Sequence, residues 1–160
     1  MCPPWRSKAD MHFVILGAGA LGSIYAAHLA KTGHQVSLIA RGERASNLRQ
    51  HGLHVTGLSS FHVHCDIVTE PEQLETADVV IVAVKTYDTE AALAPLSGLS
   101  AKTALSVQNG VLKNDQLAQV FGQSAVIGAV SMFGGQVMPV RTGNPGEVTY
   151  NNAGPTTVGE

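Results

Sequence analysis

Phe13-Val14-Ile15-Leu16-Gly17-Ala18-Gly19-Ala20-Leu21-Gly22 is an apolar run that leads directly into G-x-G-x-x-G, with a helix-like stretch behind it. Strand, glycines and helix in that order bring a dinucleotide pyrophosphate against a helix N-terminus. Gly17 permits the tight turn, Gly19 lets backbone approach phosphate without a Cβ in the way, and Gly22 lets helix and strand pack closely. Ala18, Ala20 and Leu21 complete the phosphate turn. The flanking context lifts this motif above a bare glycine-rich loop.

Outward from the motif, the pattern alternates. A strand is expected over His12 to Leu16 and a helix from Ala20 to about Lys31, with Leu21, Ile24, Tyr25, His28 and Leu29 at helical spacing. Gly33 caps it, and Gln35 to Ala40 forms a second strand. Arg41-Gly42-Glu43-Arg44 reads as a loop before a short helix over Ala45 to Gln50. Leu53 to Thr56 and Phe61 to Val68 alternate apolar and polar, as two short antiparallel strands would. Pro71 to Leu74 is a helical turn.

Asp78 to Val84 is a continuous apolar strand, the pattern of burial on both faces. A helix over Thr86 to Leu96 follows, then a strand over Thr103 to Val107, a helix over Leu112 to Phe121 and a strand over Ala125 to Val130. Beyond Ser131 glycine and proline increase, with one further strand at Glu147 to Tyr150. Alternation with short connections argues for an open, mostly parallel, doubly wound α/β sheet. Residues 1 to 10 read as a flexible leader and residues 11 to 160 as one dinucleotide-binding domain, with Met11 an alternative start.

Composition narrows the function classes. A net charge of -2 without a Lys/Arg cluster gives no case for nucleic acid. No apolar run reaches the ~20 residues of a membrane span, and the first ten residues have no signal-peptide core. Cys2 and Cys65 alone make no disulfide framework, which fits a reducing, cytoplasmic setting. Cys65 reads as a small buried apolar residue. His62, His64 and Asp66 would share one face of a strand, where a metal site is the sharp reading and a solvated face the expected one. No metal site is therefore assigned.

In such a sheet, ligands bind beyond the carboxyl ends of the strands. Those ends carry the glycines, Arg41, Lys85 and Gln108-Asn109-Gly110. The second strand ends without an acid before Glu43, where a carboxylate would hydrogen-bond the ribose of NAD. Arg41 can instead pair bidentately with a 2′-phosphate, helped by Arg44; the plain alternative is a solvated loop arginine. Lys85 could equally cap its strand, and Asn109 could be a turn or helix-capping residue.

Gly17-Ala18-Gly19-Ala20-Leu21-Gly22, Arg41, Val82-Ala83-Val84-Lys85-Thr86-Tyr87 and Val107-Gln108-Asn109-Gly110 together resemble the N-terminal domain of the ketopantoate reductase (2-dehydropantoate 2-reductase) family. Thr142 to Val148 and Thr157 to Glu160 resemble the end of that domain. The resemblance implies a Rossmann-type fold and NADPH-dependent reduction of a 2-keto acid, ketopantoate to pantoate, with NADP(H) as cofactor. By position it places the pyrophosphate on Gly17, Gly19 and Gly22, and the 2′-phosphate on Arg41. Lys85 and Asn109, beside the nicotinamide and the substrate, become the candidate catalytic residues. The family's principal catalytic lysine lies in a helical C-terminal domain absent from this sequence, so the chain is expected to bind cofactor with negligible turnover. A related 2-keto acid reductase and a non-catalytic NADP(H) sensor are the alternatives. The exposed rim is expected to favour self-association.

Overall fold

The computed structural model describes residues 10–140 and 143–159. Apart from Asp10, the expected leader lies outside the described residues, as do Thr142 and Glu160. The chain runs β1 (His12–Leu16), α1 (Ala20–Lys31), β2 (Gln35–Ile39), α2 (Gly42–His51), β3 (Leu53–Gly57), β4 (Phe61–Val63) and β5 (Asp66–Val68). It continues β6 (Thr76–Val82), α3 (Thr89–Leu93), β7 (Ser100–Ser106), α4 (Lys113–Phe121), β8 (Val126–Ser131), β9 (Gly134–Val137), β10 (Glu147–Asn152) and β11 (Thr156–Gly159).

The main sheet has the order β11-β8-β7-β6-β1-β2-β5, parallel throughout except for the antiparallel edge strand β11. Strand periodicity divides its side chains into two cores. Ile15, Leu38 and Ile81 face Ile24 of α1 and Leu48 of α2. Val14, Leu16, Val80 and Val82 face Leu93, Leu96 and Leu117 on the opposite side. Burial on both faces explains why β6 reads as an unbroken apolar run. The expected Rossmann-type sheet is the architecture of the chain, and no helix among the described residues is long and apolar enough to cross a membrane.

Five features depart from the sequence expectations. A second, four-stranded sheet, β4-β3-β10-β9, packs across α1. A Cβ on Gly135 would lie 2.4 Å from Ile24 Cδ1, so glycine there lets this sheet reach the helix. The expected strand Phe61 to Val68 is in fact two. Its first part pairs with β3, and its last part crosses to the main-sheet edge beside β2, where Ser37 Oγ donates to Asp66 Oδ2 at 3.4 Å.

Helix α2 starts at Gly42, so Arg44 is helical and not in a loop. The expected helix over Thr86 to Leu96 is interrupted: a 3₁₀ turn at Thr86–Asp88, α3, then a second 3₁₀ turn at Ala94–Leu96, where Pro95 has no N–H to extend the helical ladder. Edge strands β9 and β11 also lay outside the sequence reading.

Ile24 is fully buried between the two sheets. Ile24→Ala is expected to cost about 3 kcal/mol of stability, read as a lower urea midpoint at unchanged slope.

Candidate cofactor-binding site

The strand order changes direction between β1 and β6, because the chain leaves β1 toward β2 on one side and returns to β6 on the other. A crevice opens at the carboxyl ends of those two strands. Ala83 N donates to Leu16 O across it at 2.9 Å. Gly17 turns out of β1 with φ 110°, and a Cβ there would stand 2.7 Å from Val84 Cγ1. A Cβ on Gly22 would stand 1.8 Å from Gly17 O. Gly19 is the opposite case: it is exposed, and a Cβ there would meet nothing within 4 Å. Two of the glycines are needed by the fold, and the third leaves open space in front of the turn.

That open space faces an uncapped helix end. Gly19 is the N-cap of α1, no side chain caps it, and no acid occupies the first turn. Ser23 N donates to Gly19 O at 3.0 Å, so the amides of Ala20, Leu21 and Gly22 lie before the first helical bond. Free amides together with the positive end of the helix dipole suit an anion.

Two clefts extend from this point. The first, about 350 Å³, is lined by Gly17, Ala18, Ala40, Arg41, Arg44 and Asp88 among others. The second, about 490 Å³, includes Gly19, Ala20, Leu21, Lys85, Asp88, Gln108, Asn109 and Phe133. They share Gly17, Val84 and Asp88. The fold thus brings the sequence-derived candidates to one groove, except Gly22, which is buried behind the turn and lines neither cleft. Arg41, the N-cap residue of α2, is exposed, as are Lys85 and Asn109. Asp88, which sequence reading passed over, is the acid lining both clefts.

Other polar residues hold the groove in shape instead of facing it. Gln108 is 7% exposed; its Nε2 donates to Val84 O and Thr89 Oγ1, both at 2.8 Å, and its Oε1 accepts from Ser106 Oγ at 2.8 Å. It locks the peptide before Lys85 to the peptide before Asn109. Lys113 donates to the carbonyl oxygens of Ser106 at 3.1 Å, Gln108 at 2.9 Å and Ala129, and burial lowers its pKa from the usual lysine value. Arg44 Nε donates to Ala18 O at 3.2 Å and Nη2 to Ser23 Oγ at 3.1 Å. Tyr25 hydrogen-bonds Ser131 and Thr156 and stacks on Phe133, fixing the far wall. Residue type and strand end were visible in the sequence, but which of these side chains turn inward depends on spatial neighbours.

Of the shared face considered for the histidine segment, only His62 and His64 come together, their rings edge to face at 4.7 Å. His62 belongs to β4 and Asp66 to β5, with His64 between them, and all three are exposed. His62 stacks on His54 at 4.1 Å, and both ring Nε2 atoms lie against His51 O, which fixes them as donors. Burial, and then Asp66, pushes the Cys65 thiol up to about 12, so it carries little thiolate at neutral pH.

Fold and groove together define a Rossmann-type domain, with its ligand rim at the switch point between β1 and β6. The family model described as Ketopantoate reductase PanE/ApbA matches residues 13–160, and the chain belongs to that family. The 2-dehydropantoate 2-reductase of Archaeoglobus fulgidus is 36% identical over 146 residues, 91% of this chain and 46% of that protein. Its counterpart in Pyrococcus abyssi is 31% identical over 150 residues, 93% and 47% of the two lengths. The crystal structure of a PanE/ApbA family ketopantoate reductase from Ralstonia eutropha superposes with TM-score 0.82 at 31% identity, covering 92% of this chain and 49% of that one. The chain therefore spans about half the length of the relatives it matches.

Gly22→Ala is expected to destabilise the fold by about 3 kcal/mol or more, because its Cβ meets backbone. Gly19→Ala is expected to leave the melting temperature within about 2 °C, since its Cβ meets open space. Thermal melts of the two variants side by side check this; equal losses would contradict it. Cys65 is expected to resist iodoacetamide at pH 8 in the native chain and to react on unfolding, as mass spectrometry would read.

Proposed function

We propose that this chain is the cofactor-binding part of an NADPH-dependent 2-dehydropantoate 2-reductase, reducing 2-ketopantoate to pantoate on the route to pantothenate and coenzyme A. One observation carries the cofactor choice. The strand end that holds a ribose-binding acid in NAD sites holds an exposed arginine instead, in a cleft contiguous with the phosphate turn. A guanidinium with no carboxylate partner among the described residues is suited to a phosphate dianion. The uncapped α1 terminus and the empty space before Gly19 fit the pyrophosphate in the same way.

Gly17, Ala18, Gly19, Ala20, Leu21 and Gly22 would hold the pyrophosphate, and Arg41 the 2′-phosphate. When bound, NADPH supplies the hydride. Lys85 and Asn109 stand on the second cleft, beside the nicotinamide and substrate positions in this reading. The Lys85 ammonium offers positive charge where the keto oxygen becomes an oxyanion, and the Asn109 amide offers a neutral donor and acceptor. Gln108 keeps the two in register by holding the backbone on either side. The substrate is a small 2-keto acid and the setting is the cytoplasm, a reading supported by the free thiol of Cys65.

Hydride transfer also needs the keto carbon clamped and an acid at the developing alkoxide. Lys85 and Asn109 supply only one wall of that clamp. The 160-residue chain assayed by itself is therefore expected to bind NADPH and to form no measurable pantoate; turnover near 1 s⁻¹, within the ordinary enzyme range, would contradict this. A fluorescence titration is expected to show NADPH bound more tightly than NADH. Arg41→Asp is expected to weaken NADPH by about tenfold or more, the worth of one charge-assisted phosphate contact, and to spare NADH. Equal losses for both cofactors would remove the 2′-phosphate from Arg41. Asp88→Asn is expected to tighten NADPH by about two- to fivefold by removing a screened like charge from the groove.

A further inference from the structure

The residue that connects the two ends of the groove is Arg44. Its side chain leaves α2 and reaches the phosphate turn, where Nε donates to Ala18 O at 3.2 Å and Nη2 to Ser23 Oγ at 3.1 Å. Ser23 Oγ itself donates to Ala18 O at 3.2 Å, which closes a three-membered ring of hydrogen bonds. Ala18 is the middle residue of Gly17-Ala18-Gly19. Ser23, fully buried, donates the first helical bond of α1 to Gly19 O. The guanidinium therefore grips the turn at its centre and at Ser23, the fourth residue of α1. Arg41 lies one turn back on the same element, as the N-cap of α2.

The charge of Arg44 is not explained by the fold alone. Its two protein partners are neutral, and no carboxylate lies within salt-bridge distance among the described residues. Burial lowers its pKa from the usual arginine value, although a guanidinium keeps its proton at neutral pH. Removing a charge from water without a counter-ion is costly, and the cleft it lines is where a counter-ion would sit. A neutral hydrogen-bonding residue could tie the turn without that cost.

We propose that Arg44 is the positioning residue of the cofactor groove: it fastens the phosphate turn to α2, so that the grip on the pyrophosphate depends on the segment that reads the adenosine ribose. The proposal rests on the dinucleotide reading above and adds a division of labour within it. Arg41 discriminates between cofactors, whereas Arg44 sets the affinity for both. Arg44 lies too close to the phosphate turn for its loss to be felt by the 2′-phosphate alone.

The test combines calorimetric titrations of the 160-residue chain with backbone amide exchange, on the wild type, Arg41→Met, Arg44→Met and Arg44→Lys. Arg41→Met is expected to lose NADPH affinity and to keep NADH within twofold. Arg44→Met is expected to lose both cofactors by a similar factor, at least tenfold. Without ligand, its amide exchange should accelerate at Gly19 to Ser23 and stay unchanged in β1 and β6. Arg44→Lys, which keeps the charge and one donor group, should fall between wild type and Arg44→Met for both cofactors.

Loss of NADPH alone in Arg44→Met would overturn the proposal and make Arg44 a second 2′-phosphate contact. Faster exchange spread evenly over the sheet would overturn it in favour of a general stabilising role. If the wild type bound neither cofactor, the dinucleotide reading would fall. The exchange arm would then decide the tether by itself: acceleration confined to Gly19 to Ser23 supports it, and unchanged exchange there overturns it.

Discussion

The approach of Gly22 to Gly17 sets the geometry of everything that follows. A single methyl group at position 22 would lie 1.8 Å from the carbonyl oxygen of Gly17, so the turn exists only because that atom is missing. With it absent, α1 starts directly above the end of β1 and its free amides point along the sheet edge. The same closeness lets Gly17 pass Val84, which brings the end of β6 into the wall of the groove. Arg41 lines one of the two adjoining clefts and Lys85 and Asn109 the other, with Gly17 and Val84 common to both.

A second layer of interactions keeps that edge in place. The ends of parallel strands leave carbonyl oxygens without sheet partners, and an edge built only from them would be loose. Here Gln108 and Lys113 engage carbonyls at the end of β7, within β8 and just beyond β6. Arg44 performs the same service for the phosphate turn. Each of these side chains spends its polar atoms on backbone and neighbouring hydroxyls, while Arg41, Lys85 and Asn109 stay exposed. The groove is thus divided between residues that shape it and residues left exposed along it.

The interior of the main sheet was legible because its strands bury both faces or alternate cleanly, whereas its edge strands β5 and β11 were not. Strand β1 and helix α1 fall where the apolar run and the glycines put them. The second sheet was hidden for a physical reason. Strand β9, Gly134–Val137, is half glycine and shows no alternation; it is a strand because β10 pairs with it and α1 packs beneath it. The split of Phe61 to Val68 was hidden in the same way, since a short alternating run does not reveal that its two ends join different sheets. For the site, the sequence showed residue type at each strand end. It could not show that Gln108 turns inward while Asn109 stays out, because alternation along the chain gives no direction once the strand has ended.

The β1–β6 crevice, with its glycine turn and Arg41, is the proposed seat of a dinucleotide. The most direct measurement is a backbone amide spectrum of the isotopically labelled chain with and without NADPH. The largest changes are expected at Gly17 to Ser23, at Arg41 to Arg44 and at Val84 to Asp88, with β4, β9 and β10 unmoved. Changes centred on the second sheet, or none at the phosphate turn at millimolar NADPH, would contradict that placement.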